Sequence, residues 1–314
     1  MGISYSAAEF LACCSPFNPV IANVDFSRTI TLGRLNNSLN ESETRKILTK
    51  IGKNQGDILE SILSNTYSEP YFELLRSSCT KSMSNTDNKA TTSSFELGGI
   101  DSVDYTDYEG ATVIHDLNIP LLNELRNRYT CVYDGGLLEH VYNFPTALKN
   151  AMDLVSIGGH LILSTPGNSY FGHGFYQFSP ELFYSVLREE NGFTDTKVFA
   201  HIRNSWYLLS NPRETRERCS LSPIFGKVLL HVIAKKVTEV PTNIVAYQSD
   251  YEDLWTSSEN NASSADKRKS KNRRVKKAMA KKLSTFSECL LDSMCKCIPS
   301  YRRKSRKVFV KVRL

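Results

Sequence analysis

Residues 129–166, YTCVYDGGLLEHVYNFPTALKNAMDLVSIGGHLILSTP, decide the fold. An apolar run ends at Asp134 and a glycine pair, Gly135 and Gly136, and the next stretch, 144–159, repeats its apolar residues at helical spacing. A second apolar run, HLILSTP, follows. These patterns predict a buried strand, an amphipathic helix ending at the second glycine pair, and another buried strand. This order is typical of an α/β protein with a parallel sheet.

The same alternation continues on both sides of this segment. IDSVDYT (100–106) and ATVIHDLN (111–118) are short β-rich runs, and SPELFYSVLREEN (179–191) opens with Ser and Pro, a good cap and first-turn pair for a helix. TDTKVFAHI (194–202) and GKVLLHVIAKKV (226–237) have strand character with little room for a helix between them. We therefore predict a Rossmann-like, doubly wound, mostly parallel sheet with a C-terminal antiparallel hairpin.

Composition divides the chain into four segments. Residues 1–75 are predicted to be a helical and irregular N-terminal region with a degenerate start of the fold, 76–98 a Ser/Thr-rich insertion, and 99–255 the α/β core. From residue 256 onward there are 18 Lys and Arg against 4 Asp and Glu, a net charge of +14 in a chain whose total is +6. The chain is therefore an acidic body followed by a basic linker and extension.

The sequence predicts neither a membrane-spanning segment nor a cysteine metal site. No run approaches the roughly 18 apolar residues that a membrane span needs. The eight cysteines are scattered without the paired spacing of metal knuckles. We therefore expect reduced thiols in a cytoplasmic protein, and we predict no metal site.

Polar residues and glycines follow three successive predicted strands. Asp104 and Asp116 end the first two, and Asp134 with Gly135 and Gly136 ends the third. Because the carboxyl ends of parallel strands share one edge of a sheet, these residues predict a single ligand rim. The alternative is that each acid caps the element that follows it.

The path CVYDGGLLEHVYNFPTALKNAMDLVSIGGHLILSTPGN resembles the fourth strand, helix and fifth strand of class I S-adenosylmethionine-dependent methyltransferases. The resemblance covers about residues 99–237, and FGHGFYQFSPELFYSVLREENGF (171–193) is similar to an uncharacterised subgroup, part of it associated with surface polysaccharide synthesis. It implies S-adenosylmethionine as cofactor, with Asp104 accepting hydrogen bonds from the ribose, Asp116 near the adenine amino group, and Gly135 and Gly136 allowing close backbone approach.

The family's glycine-rich loop after its first strand has no match in the sequence. Upstream of residue 77, IGKNQGDILESIL (51–63) offers only the isolated Gly52 and Gly56. A degenerate first strand, or loss of cofactor binding, is therefore expected. The alternative function is a non-catalytic methyltransferase-like binding module. A nicotinamide-dependent enzyme is disfavoured because no G-x-G-x-x-G motif is present.

Two histidines are candidate catalytic residues. His140, after the rim, is a candidate general base toward a hydroxyl acceptor, or it starts the next helix with Glu139. His173 lies in a Gly- and aromatic-rich loop where a substrate lid is expected, and Tyr176 and Gln177 bind a saccharide there or only pack the loop. The predicted activity is methyl transfer to a hydroxyl or other polar acceptor, such as a small molecule or a saccharide.

The basic extension has an amphipathic pattern. Val275, Met279, Leu283, Phe286 and Leu290 recur at helical spacing among basic residues. Such a helix suits an anionic membrane surface, a partner protein or a nucleic acid, although no specific nucleic-acid motif is present. The alternative is a solvated extension. The membrane reading places a cytoplasmic protein at the periphery of the membrane.

Overall fold

The computed structural model describes residues 2–53, 56–80, 100–215, 218–219, 226–251 and 309–314. Within them, the helices are α1 (Tyr5–Cys14), α2 (Glu41–Lys50), α3 (Gly56–Ser64), α4 (Glu69–Thr80), α5 (Phe144–Leu154), α6 (Pro180–Val186) and α7 (Pro212–Thr215). The strands are β1 (Gly2–Ile3), β2 (Thr29–Leu32), β3 (Asn36–Asn37), β4 (Asp101–Asp104), β5 (Val113–Ile114), β6 (Tyr129–Asp134), β7 (Val155–Asn168), β8 (Phe193–Ile202), β9 (Ser205–Leu209), β10 (Val228–Lys236) and β11 (Phe309–Val312).

A nine-stranded sheet with the order β11-β9-β8-β10-β7-β6-β2-β4-β5 organises the described residues. The strands β5, β4, β2, β6 and β7 are mutually parallel, and β10 lies antiparallel between β7 and β8. The predicted doubly wound α/β class and its antiparallel C-terminal pair are confirmed. The sheet is more mixed than predicted because β9 and β11 add two antiparallel strands at one end.

The middle strand of the five parallel strands is β2, which comes from the N-terminal region where the sequence predicts a degenerate start of the fold. Strand β2 pairs with β4 on one side and β6 on the other, and its four residues are all buried. Gly33 follows it with φ of +71°. The described residues of the segment 51–63 contain no strand, because residues 51–53 directly follow α2 and residues 56–63 belong to α3.

Alternate residues of the central strands feed two separate cores. Val132 packs in a cluster with α5 and α6 residues such as Leu148 and Phe183, whereas its neighbour Tyr133 packs in a second cluster with α1 and α4 residues such as Phe10. Side chains of a strand alternate between the two faces of its sheet, so helices cover both faces. This is the layer arrangement of a doubly wound fold.

The predicted helices are present, with shorter bounds. Helix α5 ends at Leu154 and not at the following glycine pair, since VSIGG already belongs to β7. In α6, the Ser179 hydroxyl accepts a hydrogen bond from the backbone N–H of Glu181 at 3.3 Å, which confirms the cap. No helix of the described residues is long and apolar enough to cross a bilayer.

The end of the basic extension joins the sheet. Strand β11 pairs antiparallel with β9, and the Lys50 Nζ donates to the backbone oxygen of Leu314 at 2.5 Å. Val312 and Leu314 pack against the cluster formed by α1 and α2. The predicted amphipathic helix at 275–290 and residues 81–98 of the predicted insertion lie outside the described residues.

Candidate functional site

The carboxyl ends of four neighbouring strands lie in one row. Val103, Leu32, Asp134 and Leu163 are register partners in β4, β2, β6 and β7. One residue further on, the row reads Asp104, Gly33, Gly135 and Ser164. Strands lie about 4.8 Å apart, so Asp104 and Gly135 are separated by roughly 9.5 Å. The row spans the point between β2 and β6 where the chain's path across the sheet reverses, which is where ligands of this fold class bind.

The crevice between β2 and β6 is narrow at its floor. A Cβ placed on Gly135 would lie 2.9 Å from both methyl groups of Leu35, so glycine is needed for this packing. Arg34, next to Leu35, makes contacts on the β4 side of β2. Its Nε pairs with the Glu69 carboxylate at 2.7 Å and its Nη1 donates to the backbone oxygen of Glu109. Arg34 thereby ties the end of β2 to α4 and to the β4–β5 connection.

Both predicted rim acids lie at this edge. One carboxylate oxygen of Asp104 accepts the N–H of Tyr105 at 2.7 Å, and the side chain is half-buried. One oxygen of Asp116 accepts both the backbone and side-chain N–H groups of Asn118 at 2.9 Å, which lowers the pKa of that carboxyl. Asp116 therefore closes a local turn, whereas Asp104 keeps most of its acceptor capacity.

A cavity of about 410 Å3 opens beside the row, at the ends of β6 and β7. The predicted residues Gly135, Gly136 and His173 line it, and His140, Asp104 and Asp116 do not. Its other lining residues are Gly2, Ser4, Ser6, Ala7, Glu139, Ser164, Pro166, Tyr170, His201, Arg203, Asn204, Lys227 and Leu229. The first four of these place the start of α1 against the cavity.

Glu139 is a buried carboxylate at the cavity wall. Only 1% of the residue is exposed, its Oε1 lies 3.4 Å from His173 Nε2, and its Oε2 accepts the Thr165 hydroxyl at 3.3 Å. Burial raises the pKa of Glu139 to about 7. Asp134 lies next to it, fully buried, and burial together with the Glu139 charge raises its pKa as well. Both shifts favour the protonated, neutral forms of the two acids.

Two glycines fix the position of Glu139. Gly136 has φ of +100°, and a Cβ there would lie 3.0 Å from Glu139 Oε1. Gly174 has φ of +69°, and a Cβ there would lie 2.7 Å from the Glu139 backbone oxygen. That oxygen also accepts the N–H of Phe175 at 2.7 Å. Any side chain at either glycine would displace Glu139.

His140 and His173 stand together in front of Glu139. Their rings meet edge to face with centroids 4.9 Å apart, and both residues are exposed. Burial and the nearby His173 lower the pKa of His140. One ligand-type atom from each of Glu139, His140 and His173 lies within 4.8 Å of the others. His140 belongs to a short 3-10 turn, Leu138–His140, which ends before α5 begins at Phe144. The predicted alternative, that Glu139 and His140 start the next helix, is therefore wrong.

The loop that carries His173 is braced by two predicted substrate residues. The Tyr176 hydroxyl donates to the Tyr142 backbone oxygen at 2.6 Å, and the Gln177 side-chain oxygen accepts the N–H of Tyr170 at 2.8 Å. The exposed aromatic rings are others, namely Phe171, Phe175 and Tyr142, with Phe171 98% exposed. The geometry assigns Tyr176 and Gln177 to the shape of the loop.

Two cations at the cavity were not found from the sequence. Arg203 lies in the β8–β9 turn, where Arg203 and Asn204 have φ of +45° and +59°. Positive φ at both central residues is typical of a tight type I′ hairpin and is strained for an arginine. Lys227 precedes β10, with its Nζ 5.2 Å from the Tyr170 ring centre. Neither residue belongs to a recognisable sequence motif, because both lie in connections far along the chain from Gly135, Gly136 and Glu139.

No family model and no curated protein matches this chain. Solved structures with similarity include a SAM-dependent methyltransferase of Thermotoga maritima, described as a possible histamine N-methyltransferase, at 13% identity and TM-score 0.32 over 74% of this chain and 90% of the other. The CcbJ methyltransferase of Streptomyces caelestis has 10% identity and TM-score 0.25 over 74% and 89% of the two chains. The antibiotic-resistance methyltransferase Kmr has 18% identity and TM-score 0.22 over 40% and 61%. These TM-scores are too low to assign the chain to a group.

Proposed function

We propose that the protein is an S-adenosylmethionine-dependent methyltransferase that modifies a hydroxyl or other polar acceptor. The observation that carries this proposal is the row of Asp104, Gly33 and Gly135, which runs directly into the cavity containing Glu139 and His173. A carboxylate that only accepts hydrogen bonds, two glycines at the strand ends and an adjoining cavity, in this order, suit a nucleoside cofactor beside its acceptor.

The residues of the row fit the cofactor. A carboxylate has about four lone-pair sites, and the one N–H that Asp104 accepts leaves room for two ribose hydroxyls. Gly33 and Gly135 lie roughly 5 and 10 Å from Asp104, one and two strand spacings away, and have no side chains that would block a ligand. These distances are within the length of a nucleoside with its attached amino-acid part. Bound S-adenosylmethionine supplies an electrophilic methyl group. The chain's contribution is to hold an acceptor oxygen in line with that group.

Glu139, His140 and His173 are proposed to form the acceptor subsite. Their ligand atoms converge within 4.8 Å, and the two imidazoles face solvent while the carboxylate is buried behind them. An acceptor hydroxyl at this cluster would meet hydrogen-bond acceptors that orient its oxygen and take up its proton. Such positioning is the main catalytic task when the transferred group is already activated.

The surroundings of the cavity favour an acidic saccharide as acceptor. The exposed rings of Tyr142 and Phe175 lie 6.2 Å apart in an edge-to-face pair beside the His173 loop. Exposed aromatic rings stack on sugar faces. Arg203 and Lys227 add positive charge to the cavity, which suits an acceptor with a carboxylate or phosphate group.

Calorimetry with S-adenosylhomocysteine tests the proposal. We expect the wild type to bind, Asp104→Asn to bind at least about tenfold more weakly because a charged hydrogen bond contributes about 1.5 to 3 kcal/mol, and the matched control Asp107→Asn to bind like the wild type. The absence of binding at millimolar concentration would refute the proposal.

A non-catalytic binding module is the second candidate function. It is favoured by the close packing of Leu35 against Gly135, which leaves little space at the floor of the crevice between β2 and β6. The variant Leu35→Ala separates the two candidates. If the crevice is permanently filled, S-adenosylhomocysteine binds Leu35→Ala and not the wild type.

For residues 256–308 we propose attraction to an anionic membrane surface. The segment carries 16 Lys and Arg against 4 Asp and Glu. Each basic side chain near such a surface contributes on the order of 1 kcal/mol before screening.

A further inference from the structure

The cluster of Glu139, His140 and His173 has the composition of a metal site. We propose that these three side chains bind one divalent transition-metal cation, in the class of Zn2+ or Mn2+, with open coordination positions facing the cavity. The prediction of no metal site rested on the cysteine spacing, which concerns sulfur ligands, whereas this proposal rests on one carboxylate and two imidazoles.

The distances suit a single ion. Ligand atoms bound at about 2.1 Å to one tetrahedral ion lie roughly 3 to 3.5 Å apart. Glu139 Oε1 and His173 Nε2 are already 3.4 Å apart, and the complete set lies within 4.8 Å. His140 and His173 are exposed, so small rotations of their rings close the remaining gap without disturbing the core.

The carboxylate ligand is held as metal ligands usually are. The Thr165 hydroxyl donates to Glu139 Oε2 at 3.3 Å, and the other oxygen, Oε1, points toward the histidines. Gly136 and Gly174 lie so close to its carboxylate and its backbone oxygen that a Cβ at either position would collide with Glu139. These contacts come from three parts of the chain and converge on one residue, so the position of Oε1 is preorganised.

Burial of two acids gives an independent reason for a cation. Glu139 is 1% exposed and Asp134 is 0% exposed, and Asp134 Oδ2 has no hydrogen-bond partner within the described residues. A buried carboxylate is costly unless a charge or several hydrogen bonds compensate it. A hydrogen-bonded Glu139–His173 pair is the alternative, but it does not use His140, whereas one cation joins all three side chains. Asp134 itself is partly compensated, since its Oδ1 accepts the N–H of Leu137 at 2.8 Å.

The ligand set favours a transition metal over magnesium. Imidazole nitrogens suit Zn2+, and the carboxylate suits Mn2+ as well, whereas Mg2+ prefers a full set of oxygen ligands and keeps its waters. Two histidines and one carboxylate leave at least one coordination position open. If the proposed methyl transfer is correct, that position would hold the acceptor oxygen, and the cation would stabilise its deprotonated form. Metal binding itself does not depend on that function.

The test is calorimetric titration of tag-free, chelator-treated full-length protein with Zn2+ and Mn2+, with Mg2+ for comparison and no cofactor present. We expect one transition-metal ion per chain and much weaker binding of Mg2+. His140→Asn and His173→Asn, both at exposed positions, should each weaken Zn2+ binding at least about tenfold, since even loss of an outer hydrogen bond to a ligand has that effect.

His201→Asn is the matched control. His201 lines the same cavity but is not part of the cluster, so its variant should bind Zn2+ like the wild type. Electron paramagnetic resonance of bound Mn2+ provides a second readout, and its spectrum should change in His140→Asn and His173→Asn but not in His201→Asn. The proposal is overturned if no stoichiometric site exists, or if binding is equal in wild type and His173→Asn. Failure of S-adenosylhomocysteine binding with Zn2+ binding intact would instead refute the proposed function alone.

Discussion

Replacing Gly136 by alanine should damage stability and the site together. At φ of +100° an L-residue is strained, at a cost of about 1 to 2 kcal/mol. The new Cβ would also lie 3.0 Å from Glu139 Oε1, closer than most real Cβ contacts. Moving a buried carboxylate off its hydrogen bond with Thr165 adds roughly 1 kcal/mol or more. We therefore expect Gly136→Ala to lower the free energy of unfolding by about 2 to 3 kcal/mol.

Gly158→Ala isolates the backbone part of that cost. Gly158 has φ of +89°, and a Cβ there would meet nothing within 4 Å, so only the strain of about 1 to 2 kcal/mol applies. Urea unfolding followed by circular dichroism measures both variants, and Zn2+ calorimetry measures the site. Gly158→Ala should bind Zn2+ normally and Gly136→Ala weakly. Equal stability losses in the two variants, with equal Zn2+ binding, would refute the argument that Gly136 exists to seat Glu139.

Three further predictions concern the body and its ends. Burial lowers the pKa of His231 well below its ordinary value of 6.5, so below pH 6.5 the unfolded chain takes up a proton at His231 that the folded protein does not. Between pH 7.5 and 5 the free energy of unfolding of the wild type should therefore fall by about 2 kcal/mol more than that of His231→Asn. Parallel pH profiles of the two proteins would contradict this. Deletion of 309–314 removes β11 with Val312 and Leu314 and should lower the free energy of unfolding by about 2 kcal/mol in urea titrations; an unchanged midpoint would contradict the packing of this strand. Replacement of 256–308 by a Gly/Ser linker of equal length should abolish sedimentation with anionic liposomes at low salt, and equal sedimentation would exclude the membrane proposal.

The sequence predicted those elements whose own pattern is long and regular. Helix α5 and strands β6 and β7 follow one another in a single stretch, so their periodicities are visible together. Strand β2 has only four residues, Thr29–Leu32, and its partners β4 and β6 lie about 70 and 100 residues further along the chain. Its central place is a property of the assembled sheet and is not visible in so short a run.

The candidate site was predicted in part for the same reason. Gly135, Gly136 and His140 belong to the stretch that decides the fold, and His173 stands in the loop directly after β7. The contact between Glu139 and His173 joins residues 34 positions apart, and Arg203 and Lys227 reach the cavity only because β10 pairs with β7 and β8 pairs with β10. Contacts of this kind depend on register, which local sequence patterns do not specify.

A crystal structure with S-adenosylhomocysteine tests the central claim most directly. We predict that the ribose hydroxyls contact the Asp104 carboxylate, that the homocysteine part crosses Gly33 and Gly135, and that the sulfur faces the cavity lined by Gly136 and His173. The account is contradicted if the soaked crystals hold no ligand at this edge. It is equally contradicted if the nucleoside binds elsewhere, for example in the cavity of about 650 Å3 between α5 and residues 242–246.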